Sequence, residues 1–153
     1  MVTPAPPRHP LGLHILHLED SELDHQLVCR ALRKDKLAFQ ITRVDSLSDF
    51  SSALAAQTFD IILADYRLPG FTALDAWGLL QASKARLPFI LLSGAIGESA
   101  AVAAIQMGIS DYLPKDDLHN LARVIGSALE VFKAKAAEAR AVAELAASER
   151  RLA

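Results

Sequence analysis

Two runs constrain the fold of this chain most: DIILAD (Asp60–Asp65) and PFILLSG (Pro88–Gly94) are continuously apolar between polar or turn-forming ends. A strand with one face in water alternates apolar and polar side chains, so an unbroken apolar run of this length belongs to a strand buried on both faces. A parallel sheet covered by helices on either side meets that condition. Three further strands are expected: LHILHL (Leu13–Leu18), the alternating and therefore edge-like FQITRV (Phe39–Val44), and the shorter ISDYLP (Ile109–Pro114). Between them lie helical patterns. Leu23, Leu27, Val28, Ala31 and Leu32 follow Ser21 at helical spacing, and Phe50, Ala53, Leu54 and Ala56 form a short second stripe. After a turn at Leu68-Pro69-Gly70 a third helix covers about Ala73 to Ser83, and a fourth, Glu98 to Met107, closes at Gly108. The result is βα repeated five times. Right-handed crossovers and short connections favour a doubly wound five-stranded parallel sheet of order 2-1-3-4-5, a flavodoxin-like α/β fold with an extended C-terminal helix.

The chain of 153 residues carries a net charge of −2 and one cysteine, which suits one domain and excludes an internal disulfide. Near-neutral charge disfavours direct nucleic-acid binding, and no run is long enough to span a membrane. The proline-rich first ten residues read as a disordered lead-in with no secretory signal, and a lone cysteine fits a reducing compartment, so a cytoplasmic location is expected. The domain is expected over residues 11–132, with a helical extension over 133–153.

In doubly wound sheets ligands bind beyond the carboxyl ends of the strands. There the sequence puts Glu19 and Asp20 after the first strand, Asp65 after the third, Ser93 after the fourth and Lys115 after the fifth. Asp20, Asp65, Ser93 and Lys115 are 45, 28 and 22 residues apart in turn, which corresponds to two, one and one βα units. Three carboxylates in one pocket repel unless a cation intervenes, and Mg²⁺ is suited to a few carboxylates plus waters and a phosphate. A lysine and a hydroxyl can meet phosphoryl oxygens. Taken singly, each of these residues has a plainer reading: the acid pair as a complement to a helix N-terminus, Ser93 as a turn residue, Tyr112 as packing. His14 and His17 read as packed or edge histidines on opposite faces, Cys29 as a small buried hydrophobe, and Trp77 as helix packing.

Together, Glu19-Asp20, Asp65 in DYRLPG, Ser93 in LLSG and Lys115 in DYLPKDDL resemble the receiver domain of two-component response regulators, over roughly Leu13 to Phe132. The resemblance implies that Asp65 accepts a phosphoryl group from a histidine kinase or phosphotransfer protein. It implies Mg²⁺ bound by Glu19, Asp20, Asp65 and the backbone carbonyl of Arg67. Ser93 and Lys115 would meet the phosphoryl group, and Tyr112 would swing inward, switching the face of helix four, strand five and helix five. Such a domain is no enzyme beyond its own phosphorylation and dephosphorylation. Two departures stand out: Asp116 rather than proline follows Lys115, so no cis bond is expected there, and Gly94 should loosen the Ser93 loop. Arg67, two residues beyond Asp65, is placed to screen an acyl phosphate, and it occupies the position where a haloacid dehalogenase-type hydrolase would want a second acid. The competing reading is a docking or dimerisation module that no longer needs phosphorylation.

From Leu118 nothing but Gly126 interrupts a helix to Ala153. Positions 121, 124, 128, 131, 135, 138, 142, 145, 149 and 152, spaced alternately three and four apart, are mostly apolar and broken by Lys135 and Glu138. Two readings fit: a coiled-coil-like stripe that forms a homodimer, or a single Ala-rich helix. Either resembles a connector to a covalently linked output module.

Overall fold

The computed structural model describes residues 12–94 and 98–152; the expected lead-in lies outside them. The chain runs β1 (Leu13–Leu18), α1 (Glu22–Lys34), β2 (Phe39–Val44), α2 (Leu47–Ala56), β3 (Ile61–Asp65), β4 (Arg67–Leu68), β5 (Phe71–Thr72), α3 (Ala73–Ala82), β6 (Phe89–Ser93), α4 (Glu98–Gln106), β7 (Asp111–Pro114) and α5 (Leu121–Leu152). One parallel sheet has the order β2-β1-β3-β6-β7, which is 2-1-3-4-5 once the two-residue strands β4 and β5 are set aside. Among the described residues no helix is long and apolar enough to cross a membrane.

The period-two geometry of strands divides the core. Leu16, Leu18, Ile62, Ala64, Phe89 and Leu91 face one side and pack with Phe50, Ala76, Leu80 and Ala104 of α2, α3 and α4. Ile15, Ile61, Leu63, Ile90, Leu92 and Leu113 face the other, against Val28 and Leu32 of α1 and Leu121, Val124 and Ile125 of α5. Every residue of β3 and β6 is buried, as the unbroken apolar runs predict. Each such Leu or Ile contributes about 1.5–3 kcal/mol, so the two strands anchor the sheet.

Helix ends follow local chemistry. The Ser21 hydroxyl accepts from the Asp24 N–H at 3.2 Å, and Ser46 caps α2 in the same way at 3.0 Å from Asp49 N. Gly108 ends the α4 turn at φ +109° beside the Trp77 ring, where a side chain would be both strained and crowded. Two features differ from the sequence reading. The Pro69-Gly70 turn carries a small antiparallel ribbon, β4 with β5, too short to show a pattern. The last helix begins at Leu121 and not at Leu118: residues Lys115–Asn120 form a 3₁₀ turn, with Asp117 at φ −109°, ψ 22°. Leu118 packs on the core, but its neighbours Asp116, Asp117, His119 and Asn120 are polar, which leaves a single apolar contact where an α-helical turn would need a stripe.

His14 and His17 are both packed inside. His14 is hydrogen-bonded at both ring nitrogens, to the Thr58 carbonyl at 2.9 Å and to Thr42 Oγ1 at 3.0 Å. His17 is completely buried; its Nδ1 meets His25 Nδ1 at 2.9 Å, while its Nε2 has no hydrogen-bond partner among the described residues. Burial, reinforced by the charges of His25, Lys115 and Arg43, lowers the His17 pKa to about 3. Cys29 is buried and free, as expected.

Below pH 6.5 an unfolded chain binds a proton at His17 that the folded protein refuses. Stability therefore falls as the pH drops from about 6.5 toward 3, by at most about 1.4 kcal/mol per unit from this group. His17→Leu is expected to flatten that acid limb and, by removing an unpaired buried nitrogen, to add about 1 kcal/mol near neutral pH. Urea unfolding of both proteins at several pH values checks this; identical pH slopes would refute it.

Candidate functional site

Parallel register brings the strand ends level. Leu18 pairs with Ala64, Asp65 with Leu92, and Ser93 with Pro114, so the residues that follow β1, end β3 and β6, and follow β7 all reach the carboxyl edge of the sheet. Glu19, Asp20 and Asp65 each offer a carboxylate oxygen within 4.8 Å of the others. Glu19 and Asp65 are buried, whereas Asp20 is open to solvent. The Lys115 ammonium lies 3.0 Å from Glu19 Oε1 and 3.4 Å from Asp65 Oδ2. Ser93, buried at the end of β6, lines the same cleft with Gly94 and Arg67.

Of the residues singled out from the sequence, Glu19, Asp20, Asp65, Ser93 and Lys115 thus converge. Arg67 stands on the rim, exposed, its guanidinium 6.0 Å from the Tyr66 ring centre. Tyr112 does not line the cleft; it is half-buried on β7 against the α2–α4 side of the core. Residues 95–97, which follow the expected loosening at Gly94, lie outside the described residues.

One member of the site is not apparent from the strand ends. Asp24, in the first turn of α1, accepts from Lys115 Nζ at 2.7 Å, closer than either Glu19 or Asp65. Its signal in the sequence is its place three residues after the N-cap Ser21, in the first turn of a helix that opens at the carboxyl edge of the sheet. Arg43 steadies the neighbourhood from β2, donating to the Glu19 carbonyl at 3.1 Å and pairing with Glu22 at 3.0 Å.

The electrostatics describe a site short of positive charge. Burial pushes Glu19 up to about 7 against the Lys115 hydrogen bond, with the Asp65 charge adding to the rise. Burial also raises Asp65, although Lys115 works in the opposite direction. Burial disfavours the charge on Lys115, yet the hydrogen bonds it donates to Asp24 and Glu19 more than offset this and hold its pKa above the usual lysine range. One lysine does not neutralise these carboxylates. An oxygen-rich donor set of this kind, with one member in solvent, fits a hard divalent cation that keeps several waters.

A family model, the response regulator receiver domain, matches residues 15–126. The chain belongs to this family. Its receiver domain is 30% identical over 114 residues to the transcription factor SKN7 of Saccharomyces cerevisiae, an alignment covering 72% of this chain and 18% of that protein. It is 29% identical over 113 residues to the transcriptional regulatory protein FixJ of Bradyrhizobium diazoefficiens, covering 72% of this chain and 54% of that one. The chain thus spans less than two thirds of these curated relatives. Among solved structures, the receiver domain of the sensor histidine kinase PA1611 from Pseudomonas aeruginosa PAO1 superposes with a TM-score of 0.66 at 25% identity, covering 78% of this chain and 98% of that one. That structure holds a magnesium ion coordinated in its active-site cleft.

Lys115→Met in this receiver domain would leave buried Glu19 and Asp65 without their cation, at an expected cost of about 2–4 kcal/mol in metal-free buffer. Asp24→Asn removes a carboxylate that is one-third exposed and should cost less than about 1 kcal/mol. Urea unfolding of the two variants side by side distinguishes these effects, and equal costs would contradict the geometry.

Proposed function

We propose that this receiver domain is a phosphorylatable relay in which Asp65 accepts a phosphoryl group from a phosphohistidine of a histidine kinase or phosphotransfer protein. The observation that carries the reading is the Lys115 ammonium 3.4 Å from a buried Asp65 oxygen, beside two further carboxylates. The Asp65 carboxylate attacks phosphorus in line; a new O–P bond forms, the N–P bond breaks, and its electron pair leaves with the donor imidazole. Glu19, Asp20, Asp65 and the backbone carbonyl of Arg67 are the groups that would hold Mg²⁺, which when bound supplies charge for the transferred oxygens.

The remaining work belongs to the chain. Lys115 exchanges a carboxylate partner for a phosphoryl oxygen, so its positive charge is in place before the reaction and needs little reorganisation. The Ser93 hydroxyl donates to a second oxygen. As Ser93 turns, Tyr112 moves toward the space it leaves and reshapes the face of α4, β7 and α5, a population shift that a partner can read. Arg67 shields the acyl phosphate from water. A cytoplasmic location and a covalently linked output module belong to the same reading; the named relatives are transcriptional regulators, but no output is assigned to this chain.

Acetyl phosphate with Mg²⁺ should add the mass of one phosphoryl group to the intact protein. Asp65→Asn should abolish the adduct, and chelation of the metal should slow its formation at least about tenfold. No adduct with acetyl phosphate or with phosphorylated kinase would overturn the relay. Arg67→Ala should shorten the phosphoryl lifetime, read from the decay of the same mass peak; an unchanged half-life would remove the shielding role.

A further inference from the structure

The last helix outruns its domain. Leu121, Val124, Ile125 and Ala128 bury against the sheet, but from Lys133 to Leu145 α5 touches little, and Val142 and Leu145 are each 62% exposed. Where α5 leaves the domain, an open groove of about 490 Å³ runs between it and the ends of α3 and α4. Its walls include Trp77, Leu87, Ile105, Val131 and Phe132, with Ala128 at its floor and Lys135 at its outer end. Val131 is half exposed there.

We propose that the occupant of this groove is a second copy of the chain, whose α5 tail crosses antiparallel so that each protomer lays Val142 and Leu145 into the groove of the other. Three observations fix the partner and its direction. The spacing of the α5 seam, alternately three and four, reads the same from either end about a midpoint between residues 136 and 137. Antiparallel pairing about that midpoint sets Lys135 against the partner's Glu138, Val131 against the partner's Val142, and small Ala128 against the partner's Leu145; the contact ends there, because Val124, the position that would meet the partner's Glu149, is buried in its own domain. A parallel pair would instead stack Lys135, Glu138 and Glu149 each on its own copy, three layers of like charge in the seam. Moving the antiparallel register by one heptad sets Lys135 and Glu138 against apolar residues and loses both ion pairs.

The flanking positions agree. Charged side chains beside the seam usually choose strand direction in coiled coils, but here Ala134, Ala139, Ala141, Ala146 and Ser148 flank the exposed half. Small flanks allow close approach and leave direction to Lys135 and Glu138. Length fits as well: residues 137–145 span about 14 Å, enough to lie along the stretch of α5 from 136 back to 128 that lines the groove. The two domains then sit at opposite ends of the crossed helices. This pairing is independent of the phosphoryl chemistry at the other edge of the sheet.

Light scattering over a concentration series should show a dimer that dissociates on dilution. Lys135→Glu or Glu138→Lys alone sets like charges across both symmetric contacts and should weaken dimerisation at least about tenfold; the double variant K135E/E138K should restore it. In a parallel pair neither single nor double variant changes the number of like-charge layers. Spin labels on Arg150→Cys, in a Cys29→Ala background, should lie about 40 Å apart when antiparallel and about 10–20 Å apart when parallel. A folded monomer at every concentration, a double variant as weak as the singles, or a short label distance overturns the proposal.

Discussion

The contact of Lys115 with Glu19, Asp24 and Asp65 is the interaction on which the rest of the structure depends. Two buried apolar strands deliver Asp65 and Ser93 to one edge, and the burial that makes those strands stable also desolvates the acids at their ends. A carboxylate with a pKa pushed up to about 7 is poorly solvated and wants a cation. Lys115 supplies one charge to three acids, at 2.7, 3.0 and 3.4 Å. The unequal distances matter because the shortest bond goes to Asp24, the acid farthest from the chemistry proposed for the site. Asp24 keeps the ammonium charged and near at hand while leaving its approach to Asp65 the loosest of the three. A lysine held this way can exchange one oxygen partner for another without crossing a region where its charge is unpaired.

The fold was largely legible because the strongest signals in the sequence are also the strongest terms in the energetics. IILA and FILL contain no polar break, so their burial on both faces, and with it the parallel sheet, follows from composition alone. Strand ends then place Glu19, Asp20, Asp65, Ser93 and Lys115 without knowledge of side-chain detail. What was not legible depends on contacts across the chain. Asp24 reads locally as part of a helix start, a role its backbone N–H does serve through Ser21, while its carboxylate answers to Lys115 ninety-one residues away. The His17–His25 contact has the same character: spacing identifies a histidine inside a strand, but only the packing of α1 on β1 supplies its partner. The 3₁₀ turn at Lys115–Asn120 is missed for a different reason, since helical propensity alone does not separate it from the α-helix that follows.

That turn joins the two ends of the molecule. β7 stops at Pro114, Lys115 opens the turn, and α5 begins six residues later at Leu121, fully buried against the sheet. The residue whose ammonium organises the acidic edge is therefore covalently the first link of the segment that sets the angle of the long helix. Asp117, at φ −109° and ψ 22°, breaks the turn in its middle, so the link is a tight bend and not a rigid continuation of α5. Any change in which oxygen Lys115 contacts must be absorbed either in the flexible side chain itself or in this bend. Leu121, Val124 and Ile125 resist sliding because they are close-packed on Ile90, Leu92 and Leu113 of the sheet. A displacement that reached them would be passed on as a rotation or shift of the whole helix, and the roughly 36 Å of α5 from Leu121 to Leu145 would magnify a small angle at the domain into a larger movement at Val142 and Leu145. One short bend of the chain thus joins the acidic edge to the helix that carries the apolar tail.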